Sequence, residues 1–165
     1  MATLRNIDVQ AACERVATEC ACEGLRRASR AVSKVYESAY APFGLTATQF
    51  AILVAVHLFV RAPLSRMAER LVLDRTSLYR ALKPLVRRKC LAIQPGRDRR
   101  ERVAVLTVTG ERLLAQVLPV WEATQRKFAV TLGEKATAAL TVQAAASIPA
   151  AEGLFPLTSL SSTSE

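Results

Sequence analysis

A chain of 165 residues is long enough for one domain with its own core, and a hydrophobic share of 51% excludes a disordered protein. A net charge of +9, concentrated between residues 64 and 110, favours an anionic polymer or an anionic membrane as partner. The longest apolar run, residues 50–60, has 11 residues and contains His57, too short to span a membrane. The N-terminus has no basic region followed by an apolar one, so a cytoplasmic protein with no membrane partner is expected.

The first helical region covers residues 9–40. Leu25, Ala28, Val32, Val35, Tyr36, Ala39 and Phe43 recur at three- and four-residue steps and form one apolar stripe. Gly24 weakens the helix by about 1 kcal/mol relative to Ala, so a break is expected within residues 18–24. Pro42 and Gly44 end it. Thr46-x-x-Gln49 is a capping box, with Leu45 and Phe50 placed as a hydrophobic staple. The helix it opens runs to about residue 60 and is apolar nearly all round, which predicts a central position. Pro63 precedes a short helix, 65–71, with Ser65 as its cap. After a turn at 72–73, Asp74 caps a basic helix over 75–89, with Pro84 inside it. Short helix, tight turn and longer basic helix make a helix-turn-helix pattern.

Strands are predicted at 91–94 and 102–107, joined by Pro95-Gly96 and residues 97–101. Thr107 or Thr109 caps a long helix to about residue 132, with Leu114, Val117, Leu118, Trp121 and Phe128 on one face and Pro119 as a bend. Gly133 breaks it, and an Ala-rich helix follows at 134–147. A flexible tail is expected over 149–165. The fold class is therefore mainly α with a small β-hairpin, and no internal repeat is present.

Between residues 75 and 102 there are ten Lys and Arg against two acids, Asp98 and Glu101. A basic helix followed by a basic hairpin suits double-stranded DNA. The helix reads the major groove, and the hairpin reaches phosphates or a neighbouring groove. Arg75, Thr76, Ser77, Tyr79, Arg80 and Lys83 lie on the helix, most of them in its first two turns, where base edges are met. Arg97, Asp98, Arg99, Arg100 and Arg102 form the tip with Glu101. Four arginines in six residues repel one another unless an anion lies opposite. Asp98 pairs with one and orients the rest, and an arginine entering a narrow minor groove is the sharper expectation. The competing reading is a solvated helix face and a charged loop.

These stretches resemble the MarR family of winged helix-turn-helix regulators. The matching pieces are LTATQFAIL, LSRMAERLVLDRTSLYRALKPLVRRKCL and DRRERVAVLTVTG. The last is similar to that family's wing signature, Asp-x-Arg followed by Leu-Thr-x-x-Gly. The resemblance covers about residues 25–128. It implies a winged helix-turn-helix domain over 45–106 and helical dimerisation regions at 1–44 and 107–148. It further implies an obligate homodimer on a pseudo-palindromic operator, released by a ligand or by oxidation. Asp98 and Arg100 would be the wing's structural acid and its minor-groove arginine.

The cysteines are Cys13, Cys20, Cys22 and Cys90. A reducing cytosol keeps them as thiols. Residues two apart on a helix point about 200° apart, so Cys20-x-Cys22 does not chelate within an unbroken helix. No metal site and no cofactor is expected. Cys22 stands eight residues before Arg30 in CEGLRRASR and fourteen before Tyr36. That spacing resembles the organic-hydroperoxide-sensing branch of the family, which implies a redox role for Cys22 with Tyr36 as its partner. The second tyrosine of that branch is Arg26 here, a positive charge that favours a thiolate. Phe50, His57 and Tyr36 are candidates for an effector pocket, with a satisfied core histidine as the plainer reading of His57.

There is no nucleophile–base pair, phosphate-binding glycine loop or metal quartet, so catalysis is not expected. The leading function is a dimeric, sequence-specific transcriptional regulator acting as a repressor. A thiol-based redox or metalloid-responsive protein with incidental DNA binding is the alternative. An architectural DNA binder is a third.

Overall fold

The computed structural model describes residues 8–98 and 101–154. In chain order its elements are α1 (Val9–Glu19), α2 (Ala21–Tyr40), a 3₁₀ turn (Ala41–Phe43), α3 (Ala47–Phe59), β1 (Ala62–Pro63), α4 (Leu64–Leu71), α5 (Arg75–Arg87), β2 (Leu91–Pro95), β3 (Arg102–Leu106), α6 (Val108–Leu132) and α7 (Glu134–Leu154). Two compact units divide the chain at Trp121.

Helix α3 anchors the core of the first unit. Its capping box is complete: the Thr46 N–H donates to Gln49 Oε1 (3.0 Å), and the Gln49 N–H donates to Thr46 Oγ1 (3.2 Å). Ile52, Leu53 and Val56 are fully buried. They share a core with Met67 of α4, with Leu78, Leu82 and Leu85 of α5, and with Leu91 and Ala104 of the sheet. The leucines of α5 fall at steps of four and three, so one stripe faces inward. The core loses its hold beyond Val56. His57 to Val60 are exposed, and the helix ends with Val60 at φ 63°. The expected all-round burial of this helix therefore stops one turn short.

The sheet has three antiparallel strands in the order β1-β3-β2, with Leu91 opposite Leu106 and Ala62 opposite Ala104. Only two strands were expected. The third is two residues long and contains a proline, too short to announce itself by alternation. Because β1 passes straight into α4, Pro63 precedes that helix and Ser65 is its second residue, not its cap.

A joint at the end of β3 explains the Leu-Thr-x-x-Gly run. The Thr107 hydroxyl donates to the Lys89 carbonyl (2.6 Å) and accepts the Gly110 N–H (3.1 Å), so Thr107, not Thr109, caps α6. A Cβ on Gly110 would overlap the Cys90 carbonyl, so only glycine fits this close approach.

At the N-terminus the helix breaks at Cys20 (ψ 108°) and not at Gly24, which lies inside α2. Thr18 bonds back to the Glu14 and Arg15 carbonyls (3.0 and 3.4 Å), a contact that competes with the helix ladder just before the break. Pro84 and Pro119 sit within α5 and α6 without interrupting either helix. In the second unit α7 continues through Pro149 to Leu154, past the expected end at 147 and into the expected tail. The missing proline N–H removes one bond, and the Ala-rich flanks sustain the rest. Residues 155–165 of that tail lie outside the described residues. Among the described residues no single helix is long and apolar enough to cross a membrane.

Candidate nucleic-acid interface

The base of the interface is the first turn of α5. Asp74 caps it by accepting the Ser77 N–H (2.8 Å) and the Ser77 hydroxyl (2.7 Å). The Ser77 hydroxyl bond and then the Ser77 backbone bond hold the Asp74 carboxyl below its ordinary range. Ser77 is therefore engaged in the cap, while Arg75, Thr76, Tyr79, Arg80 and Lys83 are exposed. Tyr79 is 52% exposed although Leu78 beside it is 1% exposed, so the helix has a sharply divided face.

The wing closes around residues 96–101. The Gly96 N–H donates to the Glu101 carbonyl (2.9 Å) and the Glu101 N–H to the Asp98 carbonyl (3.0 Å). Arg97, Asp98 and Arg102 are exposed. Arg99 and Arg100 lie outside the described residues. At the wing's root, Arg61 donates to Gln94 Oε1 (3.0 Å) and to the Pro95 carbonyl (3.2 Å), tying the start of β1 to the end of β2.

Helix and wing meet at a groove of 330 Å³ lined by Leu64, Ser65, Arg75, Leu78, Tyr79, Asp98, Glu101 and Arg102. Four of the expected DNA-binding residues, Arg75, Tyr79, Asp98 and Arg102, are thus brought to one place. Ser65 and Glu101 join them without having been expected. Ser65 reads as a helix cap in the sequence, and Glu101 as the odd acid in a basic run.

The exit of α5 is held by Arg88. Its guanidinium donates to the carbonyls of Gly44 and Phe43, both at 2.9 Å. Helix α5 is thereby fastened to the corner between α2 and α3. Above that corner lies an open cavity of 480 Å³, lined by Val32, Tyr36 and Tyr40 of α2, Phe50 and Val54 of α3, Arg70 of α4, and Leu118 and Trp121 of α6, among others. The Tyr40 ring stands 4.8 Å from that of Phe50 and 6.1 Å from that of Tyr36. Burial pushes the Tyr40 hydroxyl up to about 12, with Tyr36 adding to it, and burial also raises Tyr36. Both phenols remain neutral donors at physiological pH. Phe50 and Tyr36 both line this cavity. His57 does not: it is exposed at the end of α3, because the buried face ends at Val56.

Cys90 is buried, while Cys13 and Cys22 are exposed and Cys20 is half-buried. Cys22 and Tyr36 lie on the same unbroken helix, about 21 Å apart along its axis at 1.5 Å per residue. The expected thiol–tyrosine contact is therefore not made within one chain. Arg26 follows Cys22 by one turn, and Arg30 faces Glu23 at 3.8 Å.

No family model matches the chain, and no curated protein matches it in sequence. Solved structures do. The chain is similar to the transcriptional regulator MosR of M. tuberculosis, crystallised in complex with DNA. The two are 32% identical over 79% of this chain and 99% of that one, with a TM-score of 0.65. It is also similar to AbsC, a MarR family transcriptional regulator from Streptomyces coelicolor: 26% identity, 82% and 93% coverage, TM-score 0.67. A mutant MarR from E. coli complexed with operator DNA shares the fold at 18% identity, 82% and 98% coverage, TM-score 0.72. MosR and AbsC are both transcriptional regulators. With helix-turn-helix, wing and cavity in place, and with MosR similar over nearly its whole length, the chain belongs to the MarR family of winged-helix transcriptional regulators.

Proposed function

We propose that the chain is a homodimeric, sequence-specific DNA-binding repressor that leaves a pseudo-palindromic operator when a small effector binds. The observation that carries this reading is the groove where α5 meets the wing, with Arg75 and Tyr79 on one wall and Arg102 on the other. Helix α5 enters the major groove. Thr76, Tyr79 and Arg80 then face base edges, and Arg75 and Lys83 hold phosphates. Arg97 and Arg102, with Arg99 and Arg100, reach phosphates or the adjacent minor groove, and Asp98 orients them. The DNA complex of MosR supports this use of the fold.

A second copy of the chain covers apolar side chains left in water. These are Val9, Val16, Leu25 and Val35 in the first unit, and Val130, Leu140 and Val142 in the second. Truncation to residues 25–128 should leave a soluble monomer, whereas the full chain should sediment as a dimer at micromolar concentration. A monomeric full chain would rule the dimer out. Footprinting should show one palindromic protected site. Affinity should fall about 10³-fold or more between roughly 50 and 200 mM salt if the dimer meets six or more phosphates. A flat salt dependence would exclude the interface drawn here.

The cavity suits a planar apolar effector with one anionic group. Tyr36, Phe50 and Trp121 supply aromatic wall, and Arg70 supplies the one charge among the described lining residues. Cysteine oxidation is the second input, favoured by the exposure of Cys22 at the start of α2, one turn before Arg26. A gel-shift titration with an organic hydroperoxide on wild type and Cys22→Ser separates the two. Release of the wild type alone assigns the input to Cys22, and release of neither assigns it to the cavity. A redox protein with incidental DNA binding would give no palindromic footprint. An architectural binder would be released by neither oxidant nor ligand.

A further inference from the structure

We propose that Glu101 is a positioning residue for operator binding: its carboxylate clamps the wing turn in the shape that presents the wing's cations to DNA. The proposal rests on the DNA-binding reading above. Its starting point is an electrostatic oddity. A carboxylate on a surface that faces phosphates should weaken binding, yet Glu101 stands among arginines at the wing tip.

The structure gives that carboxylate a different task. Glu101 Oε2 accepts the Arg97 N–H at 2.7 Å, a charge-assisted bond across the mouth of the turn. The Glu101 main chain closes the same turn twice, to Gly96 and to Asp98. Side chain and backbone of one residue therefore fix three consecutive positions, Gly96, Arg97 and Asp98. The Glu101 side chain lies so close over Gly96 that a Cβ there would overlap the carboxylate, so Gly96 is what lets the clamp close. Glu101 is half-buried, whereas Arg97, Asp98 and Arg102 around it are exposed.

Two consequences follow for the interface. The carboxylate is engaged by a backbone N–H, while the Arg97 and Arg102 side chains beside it stay exposed. Glu101 also lines the groove opposite Arg75 and Tyr79. The residue that shapes the turn thus stands between the wing and the first turn of the recognition helix. Without the clamp the turn must be ordered at the moment of binding, and that entropy is subtracted from affinity.

This makes a prediction of unusual sign. Removing an acid from a DNA-binding surface should tighten binding if charge alone matters. If Glu101 is a clamp, Glu101→Ala should bind about tenfold more weakly at fixed salt, the usual scale for losing a charge-assisted hydrogen bond. Glu101→Gln keeps an acceptor oxygen and loses the charge, so it should bind at least as tightly as wild type. The probe is a duplex that the wild-type chain selects from a random-sequence pool. Amide exchange of Arg97 in the free protein is the second readout. Protection should be lost in Glu101→Ala and kept in Glu101→Gln. An alanine variant that binds as tightly as wild type or more tightly overturns the proposal, as does unchanged Arg97 protection in that variant. If the wild type selects no duplex, the DNA-binding reading itself fails, and the Arg97 exchange still decides whether the clamp exists.

Discussion

Helix α5 and the wing carry charge of the same sign to the same groove, but they are mounted differently. The helix is fixed to the core by Leu78, Leu82 and Leu85, which are at most 2% exposed. The wing turn is closed by hydrogen bonds from Gly96, Arg97 and Glu101, and among its described residues no side chain is buried. A rigid mount fixes side-chain direction to within the tolerance that base edges demand. A hydrogen-bonded turn holds cations near a phosphate or in a groove, where position matters less than charge. On the proposed function, sequence reading would fall to α5 and general grip to the wing.

The strongest way to break this division is to loosen the mount. Leu82→Ala should cost about 2–5 kcal/mol of folding stability and lower operator affinity with it, measured by urea unfolding and gel shift. If affinity is unchanged in the folded fraction, the mount is not what aims the helix. Arg80→Ala tests the reading face directly. It should cost about 1–3 kcal/mol of binding on the selected site and much less on unrelated duplex, with the melting temperature unchanged. Equal losses on both would move Arg80 to the phosphate-holding class and leave the helix no different from the wing.

A smaller effect concerns the turn that leads into α5. Val72 adopts a left-handed conformation, φ 50° and ψ 47°, which is strained for a β-branched residue. Val72→Gly should raise stability by about 1 kcal/mol in thermal or urea unfolding, the relief of strain exceeding the added entropy of the unfolded chain. A loss would show that the valine side chain holds the turn. The smallest effect is the Asp74 cap. Its depressed pKa means that its stabilisation is complete above the ordinary carboxylate range and fades as pH falls through the depressed value. Asp74→Asn, which keeps an acceptor, should flatten the acid limb of the stability–pH curve and leave the neutral-pH value nearly unchanged.

The sequence announces features whose physics is local. The Thr46–Gln49 box and the Asp74 cap of α5 depend on neighbours three residues away, and they were readable. Features that depend on a distant partner were not. Strand β1 exists because β3 passes beside Ala62 and Pro63, and nothing in two residues can say so. His57 has apolar neighbours in sequence but water in space, since burial is decided by what packs against a helix end. Four of the DNA-facing candidates, Arg75, Tyr79, Asp98 and Arg102, come together at the groove. Glu101 was visible in the sequence only as an acid in a basic run, because its partner is a backbone N–H and backbone donors leave no trace in composition.

Arg88 carries one further consequence. A single hydrogen bond is a pivot: the joined parts can turn about it. Two parallel bonds from a planar guanidinium fix an angle as well as a distance. The exit of α5 and the corner at Phe43 and Gly44 are therefore joined at two points, and that corner follows directly on Tyr40 of the cavity wall, so the helix that carries Arg80 is held to the same backbone that lines the cavity.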